Sequence, residues 1–323
     1  MAIGGGIGAA AAVKFLTRAA TVEWEDVRDQ VFHAEHSHFI SVDGIKVHYQ
    51  EFGHAAKPPV ILIHGYTASV YVWKSAAPLL AEAGLRVIAV DLVGFGYSEK
   101  PAWFDYSIQS QARMISRLMD RLGIGRATIV GSSYGGAVAL NLTLDQPARV
   151  EKLVLVDAVC NDDALRHPIL RLTSIRGIGE LLTPFIADSK LFLKKRMHST
   201  LAKPNHHLIT QERIDNVRRP LLSREGHHSL LATSRNWSAS RLEQDAHLIE
   251  CPTLIIWGED DAVIPVKNGY KLRSEIPDSR LVVLTDCGHV PQEERSELFS
   301  KLASDFIRDE KGSVSDEVSL ELS

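Results

Sequence analysis

The stretch Gly131-Ser132-Ser133-Tyr134-Gly135-Gly136 constrains this chain more than any other. The apolar, β-branched run Ala127-Thr128-Ile129-Val130 leads into it, and Ala137-Val138-Ala139-Leu140-Asn141-Leu142 leaves it as a helix. A strand that reverses into a helix within about two residues holds its central residue in a strained geometry. Glycines on either side remove the side chains that would collide there. Such a turn projects the Ser133 hydroxyl at the carboxyl edge of a sheet. It also sets the Tyr134 N–H at a helix start, facing developing negative charge. Gly-x-Ser-x-Gly alone also describes ordinary Gly/Ser-rich turns, so the rest of the chain decides.

Phe39-Ile40-Ser41-Val42 and Ile45-Lys46-Val47-His48-Tyr49 alternate with period two around Asp43-Gly44, a hairpin signal. Continuous apolar runs follow at 59–63, 86–90, 127–130 and 152–156, with helical spacing over 76–83 and 107–122. Strand alternating with helix predicts a parallel α/β sheet covered on both faces. The alternation stops over 160–246. Helical segments such as 189–201 and 210–222, rich in Arg, Lys and His, replace it, punctuated by Pro168, Pro184, Pro204 and Pro220. This stretch is expected to be a helical cap inserted into the core. The sheet resumes at 253–257 and 280–284, and an amphipathic helix over 294–308 closes it. The expected organisation is an N-terminal extension over 1–37, a core over 38–159 and 247–310, the cap over 160–246, and a mobile tail over 311–323.

Composition excludes several classes. A net charge of −4 supplies no basic excess for neutralising phosphates, so nucleic acid is not an expected partner. Cys160, Cys251 and Cys287 give neither a disulfide framework nor a metal-binding spacing. A reducing, cytoplasmic location is the simpler expectation. The Gly/Ala-rich run from Ala2 to Val13 has no positive charge in its early part, unlike a secretory signal, and is too short to span a bilayer. It is read as a frayed terminus, with weak membrane association through this segment as the alternative. His206-His207 and His227-His228 lack accompanying cysteines or acids and are read as surface or cap residues, so no metal is expected. Oligomeric state is left open.

A serine hydroxyl needs a base within hydrogen-bond reach, and the base needs an orienting acid. Gly258-Glu259-Asp260-Asp261-Ala262-Val263-Ile264-Pro265 follows one late strand, and Asp286-Cys287-Gly288-His289-Val290-Pro291 follows the other. Loops after parallel strands share one sheet edge, so both converge on Ser133. Asp260 adjoins Asp261, and the spacing to Gly258 and Pro265 favours Asp261. Ser132 adjoins Ser133 but is not the middle of the Gly-x-Ser-x-Gly frame.

With His64-Gly65 after the third strand, Asp91…Gly94-x-Gly96-x-Ser98, the serine turn, Gly258-x-x-Asp261-x-x-x-Pro265 and Gly288-His289-x-Pro291, the chain resembles the α/β-hydrolase superfamily over about residues 38–308, within its cap-bearing serine hydrolase branch. The resemblance implies a mostly parallel eight-stranded sheet with helices on both faces. It implies Ser133 as nucleophile, His289 as general base and acid, and Asp261 as orienting acid. Asp157 is the alternative acid, since some relatives place it after that earlier strand. The backbone N–H groups of Tyr66 and Tyr134 would form the oxyanion hole, with His64 and Asp91 bracing the loops. No cofactor is implied. Trp73, Phe192, Met197 and Val290 are the candidate substrate-pocket residues.

The reaction expected from this resemblance is hydrolysis of a small carboxylic ester through an acyl-enzyme. The first alternative is a C–C bond hydrolase of meta-cleavage type. Such relatives commonly carry an aromatic after the base histidine and Gly-Pro-Gly-x after His-Gly, where this chain has Val290 and Tyr66-Thr67-Ala68-Ser69. The second alternative is a hydrolase-fold ligand-binding protein with slow turnover.

Overall fold

A computed structural model of the chain describes residues 21–163, 168–308 and 318–320. Residues 1–20, with the expectations attached to them, lie outside the described residues. Strands β1 (Ser37–Val42) and β2 (Ile45–Phe52) form the expected antiparallel hairpin. Strands β3 (Pro59–Ile63), β4 (Arg86–Val90), β5 (Ala127–Ser132), β6 (Val150–Val156), β7 (Thr253–Gly258) and β8 (Ser279–Leu284) are mutually parallel. The hairpin joins them through an antiparallel pairing of β2 with β4. A last strand, β9 (Val318–Leu320), pairs parallel with β8. The order across the sheet is β1-β2-β4-β3-β5-β6-β7-β8-β9.

Strands β1 to β8 are the expected mostly parallel eight-stranded sheet, and among the described residues the short β9, within the tail over 311–323, adds to its β8 edge. A polar, acidic composition carries no strand signal, whereas β8 without β9 would offer unpaired N–H and C=O groups to any passing segment.

Alternation along the strands builds two cores. On β3, Ile61 and Ile63 enter one buried cluster while Val60 and Leu62 enter the other. Helix α1 (Ala76–Glu82) and the C-terminal helix Ser296–Ile307 cover one face through Leu80, Phe299 and Leu302. Helices α2 (Ile108–Arg121) and α3 (Tyr134–Asp145) cover the other through Ile108, Ile115, Leu118 and Leu140. Each such side chain contributes about 1.5–3 kcal/mol when fully buried. Burial on both faces fixes the register of every central strand, and with it the height at which each strand releases its loop.

Between β6 and β7 the chain is helical: α4 (Pro168–Ser174), α5 (Ile178–Asp188), α6 (Lys190–Thr200), α7 (Gln211–Arg218), α8 (Arg224–Arg235) and α9 (Ser240–Asp245). Helix α10 (Lys267–Glu275) crosses from β7 to β8, and the closing helix Ser296–Ile307 is α11. Starts in the insertion are written locally. The side chains of Ser189, Thr210 and Ser223 accept N–H bonds from Phe192, Arg213 and Gly226 at 3.1, 3.1 and 2.9 Å. Leu193, Met197 and Ile214 form a small core of the insertion's own. No helix among the described residues is long and apolar enough to cross a membrane.

Candidate active site

Ser133 sits between β5 and α3 with φ 54° and ψ −118°, the strained conformation expected of this turn. The surroundings hold it there. Its N–H donates to the Val156 carbonyl, and its own carbonyl accepts from Gly136 and Val159, all at 2.9 Å. A side chain at Gly135 would run into the Ile63 and His64 carbonyls, so glycine is required.

His289 and Asp261 arrive from the loops after β8 and β7. His289 Nε2 lies 2.9 Å from Ser133 Oγ, and His289 Nδ1 lies 2.7 Å from Asp261 Oδ2. With Nδ1–H donating to the carboxylate, Nε2 is free to accept the serine proton. Asp261 Oδ1 accepts from the Val263 and Ile264 N–H groups at 2.7 and 2.9 Å, which holds the carboxylate in one orientation. Asp261 and His289 are buried, whereas the rival Asp260 is exposed. Ser132 Oγ accepts instead from Gln292 Nε2 at 3.2 Å. Asp157, the alternative acid, lies buried against Asp261.

The expected oxyanion donors flank the serine. The Tyr134 N–H opens the first turn of α3, where helical N–H groups lack internal partners. Tyr66 follows Gly65, which lies so close that an added Cβ would meet Ser133 Cβ at 3.0 Å. His64 braces this loop: its Nδ1 donates to the Gly65 carbonyl at 2.8 Å and its Nε2 accepts from Leu92 N–H at 3.1 Å. Burial holds its imidazole below the usual histidine pKa, against the opposing pull of Asp91. Asp91 accepts from Val70 N–H, Tyr97 N–H and His48 Nδ1 at 2.7, 2.8 and 2.6 Å. Burial works to raise its pKa, but His48 and these donors leave it below the usual carboxylate value.

Two pocket expectations are corrected. Trp73 is fully buried beneath the sheet beside Phe299, with ring centroids 6.1 Å apart, so it is core. Met197 is buried in the insertion's own small core with Leu193 and Ile214. A large apolar residue gives the same sequence signal in a core as in a pocket. Phe192 is half-buried on α6, and Val290 is half-buried directly after the base histidine.

Three residues near the site were missed. Trp237, between α8 and α9, packs against Tyr134 with ring centroids 4.9 Å apart and meets Tyr66 at 6.0 Å, with Phe95 completing the aromatic wall. A single Trp in a polar stretch carries no periodic signal. Arg196 on α6 donates to Thr67 Oγ1 at 2.9 Å, directly after Tyr66. Glu294 accepts from Gly288 N–H at 3.0 Å and from Ala202 N–H and Asn205 Nδ2 at 2.8 Å, tying the histidine loop to the insertion. The His289 N–H itself donates to the Thr200 carbonyl at 2.8 Å.

Residues 58–176 and 190–296 match the sequence family described as the alpha/beta hydrolase fold. The chain belongs to that family. The 2-hydroxy-6-oxo-6-phenylhexa-2,4-dienoate hydrolase of Comamonas testosteroni is 32% identical to this α/β hydrolase over 270 residues, covering 81% of this chain and 91% of the relative. The hydrolase YugF of Bacillus subtilis (strain 168) is 30% identical over 273 residues, covering 83% and 96%. Among solved structures, a mutant of the meta-cleavage product hydrolase CumD of Pseudomonas fluorescens IP01, complexed with acetates, superposes with a TM-score of 0.72 at 26% identity, covering 85% of this chain and 98% of that one. The similarity spans nearly whole relatives and establishes a hydrolase. It overturns the expected carboxylesterase in favour of the C–C hydrolase alternative. Val290 and the Tyr66-Thr67 loop had weighed against that alternative, but each is a short local departure within a match that covers the core and the insertion.

Proposed function

We propose that this α/β hydrolase cleaves a carbon–carbon bond in a 2-hydroxy-6-oxo-dienoate, with Ser133 as nucleophile and the helical insertion acting as the cap over the site. The observation that carries the reading, beside the relatives, is Arg196. Among the described residues its guanidinium has no carboxylate partner, and it stands beside the Tyr66–Thr67 loop on the insertion's side of the site. Burial is the largest influence on it and lowers its pKa, yet a guanidinium stays protonated in proteins. A partly desolvated cation without a counter-ion favours an anionic substrate, and a dienoate supplies the carboxylate. A neutral substrate would leave that charge unanswered.

Ser133 Oγ attacks the 6-oxo carbon while its proton passes to His289 Nε2. The Tyr66 and Tyr134 N–H groups hold the oxyanion. The bond to the dienoate then breaks from the keto tautomer, in which the 2-hydroxyl proton has moved to C5. The C5 electron pair delocalises through the C3–C4 double bond onto the 2-oxo oxygen. His289 gives its proton to that oxygen, and the 2-hydroxydienoate leaves. Water activated by His289 hydrolyses the acyl-enzyme, releasing a carboxylic acid and restoring the serine. Asp261 keeps the imidazole in the required tautomer and balances the imidazolium charge.

The test is turnover of 2-hydroxy-6-oxo-6-phenylhexa-2,4-dienoate, followed by loss of its conjugated absorbance. Turnover that disappears in Ser133→Ala sustains the reading. A folded wild type that leaves this compound and its 6-alkyl analogues intact overturns it.

A further inference from the structure

Asp157 is a second buried carboxyl group at the site for which the proposed reaction has no role. It follows β6 with φ 43°, a strained backbone for a non-glycine residue, and its N–H is held by the Ile256 carbonyl at 3.1 Å. Its Oδ1 accepts from the Gly258 N–H at 2.9 Å. Its Oδ2 is buried and has no hydrogen-bond donor aimed at it. Ligating atoms of Asp157, Asp261 and His289 all lie within 4.8 Å of one another. Two carboxylates this close in a buried site cannot both stay ionised without cost. The donors decide between them. Asp261 has three, from Val263, Ile264 and His289, whereas Asp157 has one, from Gly258.

We infer that Asp157 carries a proton on Oδ2 and donates it as a hydrogen bond to the Asp261 carboxylate, making it a positioning residue behind the serine–histidine–aspartate array. The inference rests on that array being the reacting one. The proton stays on Asp157 throughout. What the arrangement supplies is a fourth donor that locks Asp261 in line with His289 Nδ1 without adding a second negative charge. The groups facing Asp157 agree: burial first, then the Asp261 charge, hold its carboxyl well above the usual carboxylate range, with Glu294 adding to the effect and only the Gly258 N–H opposing. The remaining neighbour that feels its charge, the Cys287 thiol, is itself pushed up by burial and stays neutral.

Asp157→Asn keeps the shape and puts an N–H₂ where the acid carries its proton. If Asp157 is neutral, the acid-limb pKa of kcat/KM is unchanged in this variant. If Asp157 were ionised, removing a negative charge so close to His289 would lower that pKa by about one unit or more, which overturns the inference. Asp157→Leu, which removes the donor, is expected to lower kcat about tenfold with KM unchanged. Isotope-edited infrared spectra of carbon-13 aspartate protein supply a readout free of activity and of the variant's folding. At neutral pH the wild type should show the carbonyl band of a protonated carboxylic acid; its absence overturns the inference. That band without any turnover of dienoates would sustain the proton on Asp157 and count against the proposed reaction alone.

Discussion

The carboxyl edge of the sheet and the helical insertion meet at the same serine but are built differently. At the edge, Ser133, Asp261 and His289 come from loops after β5, β7 and β8, and each is pinned by backbone hydrogen bonds. The insertion delivers Arg196 and the Thr200 carbonyl from α6 and Trp237 from the stretch between α8 and α9, held to the core by side chains such as Arg213, whose buried guanidinium grips Glu293 at 2.6 and 2.8 Å. A parallel sheet buried on both faces fixes positions through its register. Helices packed over it fix positions only through the residues that happen to meet. On the proposed reading, the edge sets the chemistry and the insertion sets which molecule receives it.

Removing a reacting group from the edge should cost most. Ser133→Ala should lower kcat by about 10⁴–10⁶-fold with the unfolding transition intact, measured in single-turnover assays. A smaller loss would mean that the edge does not hold the nucleophile. On the insertion side, Arg196→Ala should raise KM for the dienoate by about 10–100-fold and leave kcat nearly unchanged. A fall in kcat with constant KM would move Arg196 from recognition into the chemistry and break the division. Between the two regions, Arg213→Met leaves Glu293 buried beside Lys74 at 3.4 Å. It should lower unfolding stability by about 3 kcal/mol in denaturant titrations.

The smallest effects concern pH and a helix cap. Because the Asp157 pKa is raised on folding, folding takes up a proton. Its contribution to stability is full below the ordinary carboxylate pKa and is lost as pH rises towards the raised value. Asp157→Asn should flatten that part of the stability–pH curve, read from thermal unfolding across the range. Ser189→Ala, which removes the cap of α6, should cost about 1 kcal/mol and raise KM more than it lowers kcat, since α6 carries Arg196.

The same contrast governs what the sequence made legible. Strands β3 to β8 announce themselves as apolar runs, and the meeting of Ser133, Asp261 and His289 follows because parallel strands deliver their loops to one edge. Asp261 was separable from Asp260 by spacing, and the structure buries the first and exposes the second. In the insertion the helix α6 was readable, but its roles were not. Met197 and Trp73 looked like pocket residues and belong to cores, because an apolar side chain reads alike in both. Arg196 and Trp237 owe their places beside Thr67 and Tyr134 to three-dimensional neighbours that no periodicity encodes. The strand Val318–Leu320 was hidden for a related reason: its pairing is dictated by the open edge of β8 and not by its own composition.

The most direct measurement quantifies both fragments released from 2-hydroxy-6-oxo-6-phenylhexa-2,4-dienoate by chromatography, with wild type and Ser133→Ala side by side. Equimolar carboxylic acid and dienoate from the wild type, and neither from the variant, is the expected result. Intact substrate after incubation with folded wild type, or equal product from both proteins, would contradict a serine-dependent carbon–carbon hydrolase.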